Sequence, residues 1–296
     1  MPRAALLLAI VGYLTLTCLA QECPSDHREH KTGGIVVKDV TISGTQNLTS
    51  DELLQMSGSM IGACFNDDSE EIGERLRAQF QDRGYFAVEV KSVRFKPPDP
   101  LANPKPVVVE AEVTNGPQFR LRELVIQGNR GLPADTLRQA FSFKMGDIFE
   151  RAKVATGLER LREIYGKHGY LDSYSIPETR PASDGTMSLS ITVHEGPQYH
   201  MGKLEIVGER EIAARMREAW KLPEGAVYDQ SYIDTFIEAN GSLLPSGFKR
   251  DDVATAVNCP EEVVNVRMVV DPAKASTDSK STNVPCKEKE DDSKTP

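Results

Sequence analysis

Three stretches of the chain alternate apolar and polar residues with a period of two. Val107, Val109, Ala111 and Val113 form the first, Met187, Leu189, Ile191 and Val193 the second, and Val264, Val266 and Met268 the third. Such alternation puts every apolar side chain on one face of a half-buried strand. Shorter segments ending in glycine precede each of them: Val40 to Gly44, Leu124 to Gly128 and Leu204 to Gly208. Between the two kinds of strand the period changes to that of a helix. Val154, Leu158, Leu161 and Tyr165 follow one another at four, three and four residues, which is one helical face. Leu76 and Phe80 occupy the matching helix of the first unit, behind an acidic start at Asp67 to Glu71. Tyr232, Phe236 and Leu243 are placed equivalently in the last. A shorter helix around Leu137 and Phe141 opens with Pro133 in its first turn. Each long helix is expected to end at a glycine followed by an aromatic residue: Gly84-Tyr85, Gly169-Tyr170 and Gly247-Phe248. The order per unit is strand, helix, helix, strand, strand.

The units are copies of one another. Gly116-Pro117-Gln118-Phe119 returns 80 positions later as Gly196-Pro197-Gln198-Tyr199, and Gly128 returns as Gly208 at the same offset. Gly44 marks an earlier copy, and Asp271-Pro272 stands in the last unit where Gly-Pro is expected. The landmarks divide the chain into units at 35–117, 118–197 and a divergent 198–271, giving an α+β fold of three tandem β-α-α-β-β modules.

The flanks differ in kind. Arg3, the apolar run from Ala4 to Leu16 and the Cys18-Leu19-Ala20 segment read as a secretory signal over residues 1–20, with retention as an anchor the alternative. Residues 21–34 read as a polar linker, and 272–296 as a polar tail with too little to bury to become ordered. Export makes Cys23, Cys64, Cys259 and Cys286 candidates for disulfides. Of the three pairings four cysteines allow, Cys23–Cys64 with Cys259–Cys286 ties each flank to its nearest unit; the other two stay open.

Composition then removes function classes. Thirty-five Lys and Arg face 44 Asp and Glu, a net charge of −9, which disfavours a nucleic-acid binder. One uncharged apolar run excludes a multi-span helical membrane protein. His27 and His30 with Cys23 resemble a metal cluster only loosely, and a polar linker explains them. His168, His194 and His200 have no repeated serine or acid beside them, and Gly128-Asn129-Arg130-Gly131 lacks the Gly-Lys-Ser/Thr end of a phosphate loop. No catalytic, cofactor or metal-binding set is expected, and no small-molecule substrate.

A strand ending in glycine, two helices, Gly-Tyr or Gly-Phe, and a strand running into Gly-Pro-Gln-Phe or Gly-Pro-Gln-Tyr resemble the POTRA domain. This is the repeat that stands before the membrane barrel of outer-membrane assembly factors and two-partner secretion transporters. The resemblance covers residues 35 to about 271. It implies two helices on a three-stranded mixed sheet in each copy, and a periplasmic arm whose partners are other polypeptides, such as an outer-membrane barrel protein or its clients. It implies no enzymatic activity and at most peripheral membrane association. The strand after each Gly-aromatic pair is implied to lie at a sheet edge and to take up partner strands by β-augmentation. By position these edges are residues 86–95, 171–176 and 248–257, with Pro177 and Pro181 shortening the second. Phe86, Val88, Val90, Val93 and Phe95 alternate most cleanly, so the first edge is the expected docking strand. The 296 residues leave no length for a barrel after the third copy. A cell-division or structural envelope scaffold, held by its N-terminal segment, is the alternative function.

Overall fold

Each unit builds one mixed sheet. The computed structural model describes residues 35–270, apart from 46, 66–68 and 97–104. In the first unit β1 (Ile35–Ser43) lies parallel to β4 (Lys105–Thr114), which is antiparallel to β3 (Glu89–Lys96). A two-residue strand β2 (Cys64–Phe65) adds to the other side of β1, so the order is β2-β1-β4-β3. Helices α1 (Ser50–Gly58) and α2 (Ser69–Gln81) fill the crossover. The second unit has the order β5-β7-β6, from β5 (Arg120–Gln127), β6 (Tyr174–Pro181) and β7 (Thr186–His194), with α3 (Ala134–Arg138) and α4 (Arg151–Lys167) between β5 and β6. The third repeats it as β8-β10-β9, from β8 (His200–Val207), β9 (Val253–Asn258) and β10 (Val263–Val269), with α5 (Arg210–Ala219) and α6 (Tyr232–Ala239). The α+β class and the mixed three-stranded core of each sheet match expectation; the two-residue β2 adds a fourth strand in the first unit.

The apolar alternation sets which strand is central. Every apolar position of β7 named above is at most 3% exposed, and Val264, Val266 and Met268 of β10 are buried equally well. A strand flanked on both sides and covered by helices on one face must carry an unbroken apolar row on that face. Helix α4 covers it with Val154, Leu161 and Tyr165, and Leu158 is partly buried beside them. Removing Leu161's side chain, fully buried here, would cost about 2–5 kcal/mol. The last helix differs from expectation: α6 stops at Ala239, where Asn240 bonds back to the Phe236 carbonyl, so Leu243 lies in the turn beyond it.

Residues 35–79 and 87–116 make one compact body, and residues 80–86 with 117–270 make another. The second and third units thus share a body, which also takes in the turn at the end of α2.

Candidate polypeptide-docking edges

The first strand of each unit has its outer side half closed by the chain itself. Gly62 N–H donates to the Val37 carbonyl and Val37 N–H to Ala63; Gly146, Leu121 and Asp147 repeat this, as do Gly225, Met201 and Ala226. All three glycines have φ near +80° (Gly62 79°, Gly146 87°, Gly225 82°), a turn that glycine makes without strain. Each begins a Gly-x-x-aromatic sequence: Gly62 to Phe65, Gly146 to Phe149, Gly225 to Tyr228. This is a fourth repeat landmark, beyond the three that the sequence pattern makes plain.

The opposite edges, β3, β6 and β9, have no further strand beside them among the described residues. All three begin later than expected. After Gly84, Gly169 and Gly247 the chain makes a turn before the strand starts, at Glu89, Tyr174 and Val253; a short 3₁₀ turn, Arg250–Asp252, precedes the last. The candidate residues therefore separate. Phe86 lies in the turn, its ring centroid 5.0 Å from that of Phe149, packed on the second unit's core. Val88 is buried ahead of the strand. Val90, Val93 and Phe95 are on β3 itself, each only half-buried. A bulge at Lys91 breaks the register and keeps Val90 and Val93 on one face, where both come within 3.9 Å of a Cβ built on Gly73 of α2. In the second unit β6 extends to Pro181, so Pro177 and Pro181 lie within the edge strand instead of ending it.

The Gly-Pro-Gln-aromatic landmark is a clamp. Gln198 Nε2 donates to the His168 carbonyl at 3.0 Å, and Tyr199 N–H donates to the Gly169 carbonyl at 2.8 Å. Gln118 and Phe119 hold the Arg83 and Gly84 carbonyls in the same way, at 2.9 Å each. A side chain on Gly169 would meet the Tyr199 oxygen at 2.6 Å, and one on Gly84 would meet Ile148 at 2.7 Å. Hence glycine at both, with φ +83° and +88°.

The remaining candidates also resolve into local roles. Gly131 N–H, in the turn after β5, donates to the Glu195 carboxylate, which also accepts from the Tyr165 hydroxyl at 3.0 Å; burial and this carboxylate push the Tyr165 pKa well above its ordinary value. His168 bonds the Ile164 carbonyl at the end of α4, and the His194 ring stacks on Tyr174 at 4.5 Å. Cys259, in the turn between β9 and β10, is disulfide-bonded. Cys23, Cys286, His27 and His30 lie outside the described residues, as does the side chain of Cys64. Among the described residues no three His, Cys, Asp or Glu are grouped to hold a metal, and no helix is long and apolar enough to cross a membrane.

A family model described as "Surface antigen variable number repeat", POTRA, matches residues 35–116 and 119–196, more than half of the chain. The chain belongs to the POTRA family. Its third module, beyond the matched residues, has the same order of elements. A putative outer membrane protein assembly factor of Treponema pallidum is 24% identical over 208 residues, covering 64% of this chain and 24% of the relative. The outer membrane protein assembly factor BamA of Nitratidesulfovibrio vulgaris is 24% identical over 231 residues, 77% of this chain and 27% of the relative. The chain thus spans about a quarter of the length of these curated relatives. Among solved structures, POTRA domains 3–5 of Haemophilus influenzae BamA share the fold with a TM-score of 0.55 at 18% identity, over 80% of this chain and 96% of that one.

Proposed function

We propose that this chain is a non-enzymatic, protein-binding scaffold of the periplasm or the periplasmic face of the outer membrane. Its three POTRA modules, at 35–117, 118–197 and 198–271, engage other polypeptides by strand addition and so assist outer-membrane protein assembly or secretion. The observation that carries this reading is the edge of β3, which has no further strand beside it among the described residues, is eight residues long and free of proline, and carries Val90, Val93 and Phe95 only half-buried along it. An unpaired strand presents backbone donors and acceptors that bind an extended peptide with little demand on its side chains. The relatives named as assembly factors support the same direction.

The test is photo-crosslinking in the envelope of the source organism, with a photo-reactive residue at Arg94, exposed on β3. Capture of an outer-membrane barrel polypeptide during its assembly is the expected result. No such adduct, together with a normal complement of outer-membrane proteins in a deletion strain, overturns the proposal.

A further inference from the structure

The edges of the first two modules are not equivalent, and the difference lies in backbone donors. In the second module Ala182 N–H donates to the Thr186 carbonyl at 2.8 Å, closing the β6–β7 hairpin. The ladder continues in a constant register from Pro181↔Met187 to Tyr174↔His194. Hydrogen-bonded and non-hydrogen-bonded pairs alternate along an antiparallel ladder. Residues 180, 178, 176 and 174 therefore direct their amides inward to β7, while 181, 179, 177 and 175 direct theirs to the open side. Two of those four outward positions are Pro177 and Pro181, which have no N–H. A strand arriving at β6 finds donors only at Ser175 and Thr179.

Side chains add to the difference. The residues of β6 opposite the buried Leu189 and Ile191 are Thr179 and Pro177, both exposed, so on the face that continues the core row this edge offers an incoming strand no aliphatic or aromatic side chain; its exposed Tyr174 and Ile176 lie on the other face. On β3 the corresponding row is Val90, Val93 and Phe95, opposite Val113, Ala111 and Val109. Those three are half-buried and apolar, and no proline interrupts Glu89–Lys96. On β9, likewise free of proline, Val253 and Thr255 are already buried, which leaves less apolar surface to cover.

We infer that the second module is closed to strand addition by Pro177 and Pro181, and that β3 of the first module is the docking edge for an extended segment of alternating apolar and polar residues. The inference rests on the strand-addition reading above and narrows it to one edge. The second module then serves the chain through its clamps and not as a binding module.

The experiment uses the full chain with a photo-reactive residue at Arg94 on β3 or at Thr179 on β6. The probe is a synthetic eleven-residue peptide alternating valine and tyrosine with threonine and glutamine. Crosslinking at Arg94 is expected at about tenfold or more the yield at Thr179, because two absent donors leave two acceptors of the peptide unpaired. Replacing both prolines, P177T with P181T, is expected to raise the Thr179 yield several-fold and leave Arg94 unchanged, and P177T alone to give part of that gain. Equal capture at Arg94 and Thr179 in the unaltered chain overturns the inference while leaving strand addition in place, as does an opened β6 that captures no more than before. No capture at either position, nor in the opened variant, overturns strand addition itself.

Discussion

The Tyr199 hydroxyl donates a hydrogen bond of 2.7 Å to the Asp172 carboxylate, joining the first residue after one Gly-Pro-Gln to the turn that follows Gly169. Phe119, at the equivalent place one repeat earlier, has no hydroxyl to do so. The second and third modules are thus held by the shared clamp and by one charge-assisted bond in addition. Tyr199→Phe should keep the packing and lose that bond, lowering stability by about 1–2 kcal/mol. Urea unfolding of the two proteins measures this. An unchanged midpoint would mean that water replaces the bond at no cost.

Two classes of glycine should respond differently to alanine. Gly84 and Gly169 combine a positive φ with atoms closer than 3 Å to any added Cβ, whereas Gly146 and Gly225 have a positive φ and open space. Alanine at Gly146 or Gly225 should cost about 1–2 kcal/mol, the backbone strain alone. Alanine at Gly84 or Gly169 should cost clearly more, because the clash falls on the clamp. The four variants form one thermal-unfolding series, and equal costs across it would contradict the clamp's tightness.

Three buried tyrosines make the fold sensitive to strong alkali. Burial pushes Tyr228 up to about 12 from the ordinary 10, and Tyr165 and Tyr199 are raised by burial and by their bonds to Glu195 and Asp172. A tyrosine kept neutral by the fold contributes stability that is fully present below pH 10, where the unfolded chain is neutral too. That contribution is lost as pH rises through the folded value, since the unfolded state then ionises first. For Tyr228 the window runs from about pH 10 to about pH 12. The urea midpoint should fall across this range, and phenolate absorbance should show part of the tyrosines ionising only as the protein unfolds.

The disulfide at Cys259 is expected to close on Cys286, the nearest cysteine along the chain and the shortest loop available to it. Tryptic digestion without reduction then yields residues 251–267 linked to 281–287, and a second linked pair carrying Cys23 and Cys64. A peptide joining Cys259 to Cys64 or Cys23 would establish one of the other two pairings.

How far the sequence discloses this molecule depends on which force sets each element. The central strands β4, β7 and β10 and the buried face of α4 are visible in the apolar periods, because burial on one face leaves a period of two or 3.6 and nothing else does. The edge strands are harder. Their residues are half-buried or exposed, so no period marks where they start, and β3, β6 and β9 begin three to five residues beyond the expected positions of Phe86, Leu171 and Phe248. The bonds that shape the first two of those turns run from Gln118, Phe119, Gln198 and Tyr199, which are distant in sequence. Pro177 and Pro181 were visible as prolines, but whether they ended β6 or lined its open side needed the register. The glycine turn at Gly62, Gly146 and Gly225 leaves only a faint mark, because glycine with an aromatic three residues on is a weak signal until three copies are aligned.

The clamp has one more consequence. Its shared contacts end on main-chain carbonyls: a glutamine amide reaches the oxygen before the glycine, and a peptide N–H reaches the oxygen of the glycine itself. A joint that reads backbone makes no demand on what neighbouring side chains are, beyond one glycine and one glutamine. Such a joint lets successive copies diverge in every other respect, charge and edge chemistry included, and still couple head to tail. A substitution on one copy's edge strand can therefore be accepted without any matching change at Gln118, Gln198 or the glycines they reach.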